Sequence, residues 1–291
     1  MDMAQPPIPT TRLQQCFPER LVTVAEGARV AIRECGQGPV VVLLHGIGSG
    51  AASWLHCAQR LAGDHRVIAW DAPGYGRSTP LPEARPRALD YATRLDGLLA
   101  ALDIQRCLLV GHSLGALMAT AYAASSGARR VARLVLFSPA RGYGAEPLRE
   151  AGRRVRQQRL DSLERLGIGG MACERSGRLL GRNPSEDAQA WVRWNMARLN
   201  PEGYRQAVEL LCGDDLLGQG LPAMPCEVHC GEEDAITVPE ACGVLARALG
   251  ASFSLIPGAG HACPIEQPEV VAGRIGHAQR LIVEGAACGK A

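Results

Sequence analysis

The sequence predicts an α/β fold in which helices cover both faces of a mostly parallel sheet. Short, continuous apolar runs recur along the chain, for example at 40–44 and 67–70, and each run ends in a glycine-rich loop. An unbroken apolar run is typical of a strand that is buried on both faces. Segments with helical spacing of leucine, such as 88–102, separate these runs. Strands alternating with helices indicate a parallel sheet.

The predicted elements follow one another in a regular order. Residues 20–34 alternate around a turn at Glu26-Gly27, which predicts a β-hairpin. After it we expect strands at 40–44, 67–70, 107–110, 134–137, 226–230 and 252–256, and helices at 88–102, 114–125, 239–249 and after Pro268.

The alternation stops after Ala140. Residues 141–220 contain many arginines and helical stretches but no buried apolar run. We interpret this segment as a helical cap over the carboxyl edge of the sheet, where open α/β sheets bind ligands. The predicted organisation is a flexible N-terminal tail (1–18), a first core part (19–140), the cap (141–221) and a second core part (222–291).

Composition favours a soluble, cytoplasmic protein. The formal net charge of +2 gives no basic footprint for nucleic acid. No stretch reaches the roughly 20 apolar residues that a membrane span needs, and Met1–Pro18 has no apolar run of signal-peptide length. Eleven cysteines without a regular spacing indicate free thiols and a reducing compartment. We expect a monomer or a homodimer.

A metal site is not expected. Cys226, His229 and Cys230 lie close together in one predicted strand. Because side chains of a strand alternate between its two faces, the three cannot converge on one ion.

A serine nucleophile is predicted from Gly111-His112-Ser113-Leu114-Gly115, which fits the pattern G-x-S-x-G. A buried strand precedes this motif and a helix follows it, as the pattern requires. The tight turn exposes the hydroxyl of Ser113, and the helix N-terminus favours negative charge beside it.

His261 is the candidate base and Asp234 the candidate acid. A serine hydroxyl needs a base to remove its proton, and the base needs a carboxylate to orient it. His261 lies in a glycine-rich loop after the last predicted strand. Asp234 follows the preceding strand and is chosen over its neighbours Glu232 and Glu233. The chain order Ser, Asp, His fits this kind of site.

Backbone amides are expected to hold the oxyanion. One is the N–H of Leu114, which follows the nucleophile, and the other is the N–H of Ile47, in the loop after the first buried strand. Further candidates for contact with substrate are Gly46, His112, Trp191 and Trp194. The spacing of the two tryptophans fits packing within a cap helix equally well.

These motifs resemble those of the α/β-hydrolase family over roughly 20–285. The stretches that carry the likeness are His45 to Gly48, Asp71 to Ser78, the serine motif, Gly231 to Pro239 and Gly260-His261. The resemblance implies an eight-stranded sheet, a helical cap, the same triad and no cofactor. A serine at the nucleophile position departs from the related dehalogenases and epoxide hydrolases, which use Asp.

Two subfamilies are the most similar. The stretch His261 to Pro268 looks like that of 3-oxoadipate enol-lactonases, and the glycine-rich loop resembles that of meta-cleavage product hydrolases, which cut C–C bonds. The latter usually carry Trp after the catalytic histidine, where this chain has Ala262.

The charge of the predicted cap bears on the substrate. Residues 141–182 contain ten arginines and five acidic residues. If Arg153, Arg154 or Arg156 faces the cleft, a carboxylate-bearing small molecule is favoured, because arginine binds carboxylates bidentately. Solvent-exposed helix faces are the more common explanation of such arginines.

The predicted function is hydrolysis of a carboxylic ester, lactone or activated acyl bond through an acyl-enzyme on Ser113. Two alternatives remain open at this point. One is C–C bond hydrolysis of the meta-cleavage type, and the other is a signal-binding protein that keeps the triad but barely turns over.

Overall fold

The computed structural model describes residues 10–24 and 27–288. Their eight strands form one sheet in the order β1-β2-β4-β3-β5-β6-β7-β8. The strands are β1 (Glu19–Thr23), β2 (Arg29–Cys35), β3 (Val40–Leu44), β4 (Arg66–Trp70), β5 (Cys107–His112), β6 (Val131–Phe137), β7 (Cys226–Gly231) and β8 (Ser252–Ile256). Strands β3 to β8 run parallel, and β2 is antiparallel to both of its neighbours. The prediction of a mostly parallel α/β sheet is therefore confirmed.

Helices surround the sheet. They are α1 (Thr10–Cys16), α2 (Leu55–Leu61), α3 (Ala88–Ala101), α4 (Leu114–Ala123), α5 (Arg149–Arg175), α6 (Glu186–Met196), α7 (Pro201–Gly213), α8 (Pro239–Ala248), α9 (Cys263–Glu266) and α10 (Pro268–Cys288). Within α5, Gly167 has φ +61°, so the helix is broken there into two parts. No helix in the described ranges is long and apolar enough to cross a membrane.

The alternation of side chains along each strand creates two apolar cores. In β3, Val42 and Leu44 join the cluster that packs against α3 and α4. Val41 and Leu43 point the other way and join the cluster that contains residues of α2 and α10. Because both faces of the central strands are covered, these strands are apolar throughout rather than alternating.

The predicted tail over 1–18 is wrong for its second half. Residues 10–16 form α1, with Leu13 buried, and Phe17 is fully buried in the core on the α2 and α10 side. These two apolar side chains anchor the segment to the core. Residues 1–9, and Glu26 of the predicted hairpin turn, lie outside the described residues.

Helices α5, α6 and α7 are inserted between β6 and β7. Every residue of 141–221 is described, and none of them belongs to a strand. Residues 141–221, which include these three helices, are called the cap below. The cap contributes one wall of a cavity above the carboxyl ends of the strands.

Candidate active site

Ser113 lies between the end of β5 and the start of α4 in a strained backbone conformation. Its φ of +52° and ψ of −116° are rare for a residue with a side chain. Gly111 makes this tight turn possible, because a Cβ there would lie 2.7 Å from the carbonyl oxygen of Gly115. The turn leaves Ser113 at the floor of the cavity.

The structure brings Ser113, His261 and Asp234 together in one chain of hydrogen bonds. His261 Nε2 lies 2.9 Å from Ser113 Oγ, and His261 Nδ1 lies 2.8 Å from Asp234 Oδ2. All three residues are buried, and the side chain of Asp234 has no exposed surface. In this arrangement Nδ1–H donates to the carboxylate, so that Nε2 is free to accept the hydroxyl proton of Ser113.

Asp234 is held as a carboxylate. Its burial acts to raise the pKa, but the hydrogen bond and charge of His261 and the backbone N–H groups of Ile236 and Thr237 outweigh this effect and keep the pKa well below its usual value. The two N–H groups donate to Asp234 Oδ1 over 2.8 and 2.9 Å. A fixed negative charge beside His261 favours the imidazolium that forms when the histidine takes up a proton.

Thr237 also supports the triad, and the sequence did not reveal it. Its hydroxyl lies 2.9 Å from Asp234 Oδ2, 3.2 Å from His261 Nδ1 and 3.1 Å from the carbonyl oxygen of Ser138. Its position three residues after the acid was the only available signal, and it becomes meaningful only once Asp234 is placed.

The candidate oxyanion donors both line the cavity beside Ser113. Leu114 is the first residue of α4, so its N–H has no acceptor within the helix. Among the described residues, no hydrogen bond from the N–H of Ile47 is found. Gly46 lies against the nucleophile, because a Cβ at this position would be 3.3 Å from Ser113 Oγ.

His45 fixes the loop that carries Ile47. The buried ring accepts a hydrogen bond from the N–H of Ala72 at Nε2 over 3.0 Å, and its Nδ1 lies 2.8 Å from the carbonyl oxygen of Gly46. Tyr75 packs against this ring and donates its hydroxyl to the carbonyl of Ile47 over 3.0 Å. These contacts therefore fix the backbone of the loop at Gly46 and Ile47.

His112 lines the cavity and contacts the loop of the candidate base. Its Nε2 lies 2.8 Å from the carbonyl oxygen of His261. Burial, together with the nearby charge of His261, lowers the pKa of His112 to about 3. The ring is neutral at physiological pH, and because its partner is a carbonyl, the proton is on Nε2.

The cavity above Ser113 has a volume of about 560 Å³ and is lined mainly by apolar side chains. The core contributes its floor, and the cap contributes residues such as Met171, Val192 and Met196. Such a volume suits a small molecule.

Trp191 and Trp194 do not line this cavity, which corrects one of the expectations from sequence. Their rings stack on each other with centroids 4.7 Å apart, and both are buried in the core on the α2 and α10 side. The next residues of α6, among them Val192 and Asn195, face the cavity instead. Tryptophans three residues apart share one helix face, and here that face packs onto the core.

The three cap arginines considered from the sequence also lie outside the cavity lining. Arg154 pairs with Glu150 one helical turn away, Arg156 pairs with Glu209 on α7, and Arg153 is exposed. Arginines elsewhere in the cap, Arg159 and Arg175, reach the cavity.

Glu266 links the cap to the loop of His261. Its two carboxylate oxygens accept hydrogen bonds from the N–H of Gly181, over 2.7 Å, and the N–H of Gly260, over 2.9 Å. The N–H of Ala262 donates to the carbonyl of Leu179 over 2.7 Å. The cap is therefore linked to the residues on both sides of His261: to Gly260 through Glu266, and to Ala262 directly.

No group of three or more metal-ligating side chains occurs in the part of the chain that the structure describes. His229, one of the three residues considered as metal ligands from the sequence, forms a hydrogen bond between its Nδ1 and the hydroxyl of Ser254 over 2.7 Å.

Comparison with known proteins decides the family. A family model described as the alpha/beta hydrolase family matches residues 41–274. The chain belongs to the α/β-hydrolase family. The matched range spans the strands from β3 to β8, the cap and all three triad residues.

Two curated relatives of this α/β-hydrolase are named as hydrolases of 2-hydroxy-6-oxo acids. A 2-hydroxy-6-oxononadienedioate/2-hydroxy-6-oxononatrienedioate hydrolase of Pseudomonas putida is 34% identical over 146 residues, which are 47% of this chain and 50% of the relative. A 2-hydroxy-6-oxo-6-phenylhexa-2,4-dienoate hydrolase of Burkholderia cepacia is 32% identical over 143 residues, 46% of this chain and 49% of the relative. The α/β-hydrolase thus spans about half the length of these curated relatives.

Solved structures share the fold over nearly the whole α/β-hydrolase chain. A thermophilic esterase from Thermogutta terrifontis has a TM-score of 0.78 and 29% identity, with 91% of this chain and 98% of that chain covered. An enol-lactonase from Burkholderia xenovorans LB400 also has a TM-score of 0.78, at 23% identity, with coverages of 90% and 100%. At this identity the enol-lactonase supports the fold alone.

Proposed function

We propose that the protein is a serine hydrolase that cleaves a carboxylic ester or lactone of a small molecule. The observation that carries the proposal is the pair of hydrogen bonds that joins Ser113 Oγ through His261 to the buried Asp234, over 2.9 and 2.8 Å. The same three residue types in this geometry activate a serine on unrelated folds.

The mechanism has two steps. His261 Nε2 removes the proton of Ser113 while Oγ attacks the carbonyl carbon, and the N–H groups of Leu114 and Ile47 stabilise the negative charge on the carbonyl oxygen. The imidazolium then gives its proton to the leaving alcohol. In the second step His261 removes a proton from water while the water oxygen attacks the acyl carbon, and the imidazolium then gives this proton to Ser113 Oγ as the bond between Oγ and the acyl carbon breaks and the acid leaves.

The test is a Ser113→Ala variant, assayed with short 4-nitrophenyl esters and with an enol-lactone. We expect turnover to fall by about 10⁴-fold or more, because removal of a triad member leaves only the residual catalysis of the rest of the site. Ser162→Ala is a matched control, since this hydroxyl only bonds the carbonyl of Gln158 on the same helix. Wild-type rates in Ser113→Ala would refute the proposal.

C–C bond hydrolysis is the second candidate, and the names of the Pseudomonas and Burkholderia relatives favour it. A 2-hydroxy-6-oxo-dienoate, whose yellow colour disappears on cleavage, separates the two reactions. Faster turnover of the dienoate than of every ester and lactone would favour C–C hydrolysis. Labelling of Ser113 by a fluorophosphonate, without multiple turnover of any substrate, would favour a signal-binding role instead.

We also infer that the enzyme works in the cytoplasm. Ten cysteines within the described residues are unpaired, and several of them are buried. Free thiols are typical of a reducing compartment. Cell fractionation checks this inference, and recovery of the protein in an oxidising compartment would contradict it.

A further inference from the structure

Three arginines of the cap line the cavity without a carboxylate partner among the described residues, and two of them, Arg159 and Arg175, are partly buried. Arg159 and Arg175 lie on α5, on either side of its break at Gly167, and both line the cavity. Within the described residues neither forms an ion pair. The side chain of Arg159 has one hydrogen bond, from Nη1 to the hydroxyl of Tyr204 over 3.2 Å.

The two guanidinium groups are also incompletely satisfied. Arg159 Nε and Arg175 Nη1 are buried and have no hydrogen-bond partner. Burial lowers the pKa of Arg175, and the like charge of Arg159 lowers it further. A guanidinium nevertheless stays protonated at physiological pH. Two neighbouring positive charges with buried, unused N–H groups are costly unless an anion binds between them.

Other cap arginines do not share this property. Arg141, which also lines the cavity, donates a hydrogen bond from Nε to Asp215 Oδ1 over 2.9 Å. Arg156 donates a hydrogen bond from Nε to Glu209 Oε1. Arg178 also lines the cavity without an ion pair, but it is exposed and has no buried, unpaired nitrogen, so Arg159 and Arg175 differ from it in their burial.

Arg159 and Arg175 line the same cavity as Ser113 and the candidate oxyanion donors Ile47 and Leu114.

The part of the lining that follows Asp234 in the chain contains apolar side chains. Ile236, Val238 and Val244 line the cavity there and are about half exposed. Such side chains offer no partner to a charged group and suit a hydrocarbon part of the substrate. The cavity that contains Ser113 therefore offers both cationic and apolar groups to a substrate.

We propose that Arg159 and Arg175 bind a free carboxylate of the substrate, so that the enzyme hydrolyses an ester or lactone that also carries a carboxylate remote from the reacting carbonyl. This proposal rests on the proposed hydrolase function. A planar carboxylate can accept two parallel hydrogen bonds from a guanidinium group. The hydroxyl of Tyr204 lies beside the guanidinium group of Arg159. The cap also contributes apolar side chains to the lining, such as Met171 and Leu211, which offer no hydrogen-bond donor to a carboxylate.

The test compares matched substrates that differ only in this charge. Monoethyl esters of dicarboxylic acids from succinate to suberate are compared with ethyl alkanoates of the same chain length, in a pH-stat. We expect kcat/KM to be at least about 10-fold higher for the half-ester at the best chain length, which is the size of a charge-assisted hydrogen bond. The ratio should fall by about 10-fold in Arg159→Gln and in Arg175→Gln.

Arg153→Gln is the matched control, because Arg153 lies on the same helix but is exposed and outside the lining. It should keep the wild-type ratio. The proposal is overturned if wild type shows no preference at any length, or if the preference survives in both cavity variants when circular dichroism shows them to be folded. A stronger preference for an ethyl phosphonoalkanoate would overturn the assignment to carboxylate.

Binding to Ser113→Ala separates this proposal from the proposed function. If no ester is turned over, calorimetry with the half-ester and the neutral ester measures the subsite directly. Tighter binding of the half-ester, lost in Ser113→Ala/Arg175→Gln, supports the subsite even when hydrolysis fails. Equal binding of both esters, or no binding, overturns it.

Discussion

The residue before the nucleophile holds the loop of the candidate base: His112 Nε2 donates to the carbonyl oxygen of His261 over 2.8 Å. This bond connects β5 to the loop between β8 and α9, which are 149 residues apart in the chain. The loop of His261 is thereby bonded to β5 at His112, next to the hydrogen bond between Ser113 and His261.

His112 is therefore expected to act as a positioning residue. In His112→Ala the loop loses this bond, and kcat should fall by about 10-fold because the imidazole of His261 is less well oriented. His112→Gln, which keeps an N–H donor of similar reach, should recover part of the loss. Steady-state kinetics on one ester measure both variants. Equal kcat values in wild type and His112→Ala would contradict the role.

Gly46 is expected to be intolerant of any side chain. A Cβ would lie 2.9 Å from Ser113 Cβ and 3.3 Å from His112 Nδ1, where substrate must approach. Gly46→Ala should lower kcat/KM by about 100-fold, because displacements on the order of 1 Å at the reacting groups have effects of this size. Gly63→Ala, with open space around its Cβ, is the control. Wild-type activity in Gly46→Ala would show that the loop moves away freely.

Glu266 is expected to couple the cap to the triad. Glu266→Ala removes the acceptor of the Gly181 and Gly260 N–H groups, so the cap and the loop of His261 should both loosen. We expect kcat/KM to fall by about 10-fold, since two charge-assisted hydrogen bonds are lost, and limited proteolysis within 177–183 to accelerate. Glu232→Ala, which removes an exposed bond to the N–H of Gly258, is the control. Unchanged proteolysis and kinetics in Glu266→Ala would rule out the coupling.

The low pKa of Asp234 predicts a dependence of stability on pH. The folded protein binds this proton less readily than the unfolded chain, whose carboxyl has a pKa of about 3.9. The carboxylate therefore stabilises the fold fully above that pH, and the stabilisation is lost as pH falls towards the lower folded value. It should amount to roughly 2 kcal/mol at neutral pH.

Urea unfolding of wild type and Asp234→Asn between pH 6 and pH 3 measures this effect. The difference in the free energy of unfolding should shrink as the pH falls. For Asp161→Asn, at an exposed position on α5, the difference from wild type should stay small throughout. A gap for Asp234→Asn that is constant or widens on acidification would contradict the low pKa.

Local signals in the sequence predicted much of this protein. The apolar runs at β3, β4 and β5 predicted buried parallel strands because both faces of each strand are covered by helices. The motif around Ser113 predicted the turn, since Gly111 allows close backbone contact with Gly115 and Ala116, a few residues further along the chain. His261 and Asp234 were predicted from their loops, which follow the last two strands, and the structure brings both within hydrogen-bonding range of their partners.

The tertiary structure alone decided which polar side chains of the cap and the loops serve the cavity. Trp191 and Trp194 had the spacing of a shared helix face, but only packing determined that this face meets the core. In the same way Arg159 and Arg175, rather than Arg153, Arg154 and Arg156, face Ser113. Composition gives the number of arginines, whereas the rotation of each helix and the position of acidic partners on other helices determine which charges remain unpaired. Those quantities depend on contacts between residues far apart in the chain, and no local pattern encodes them.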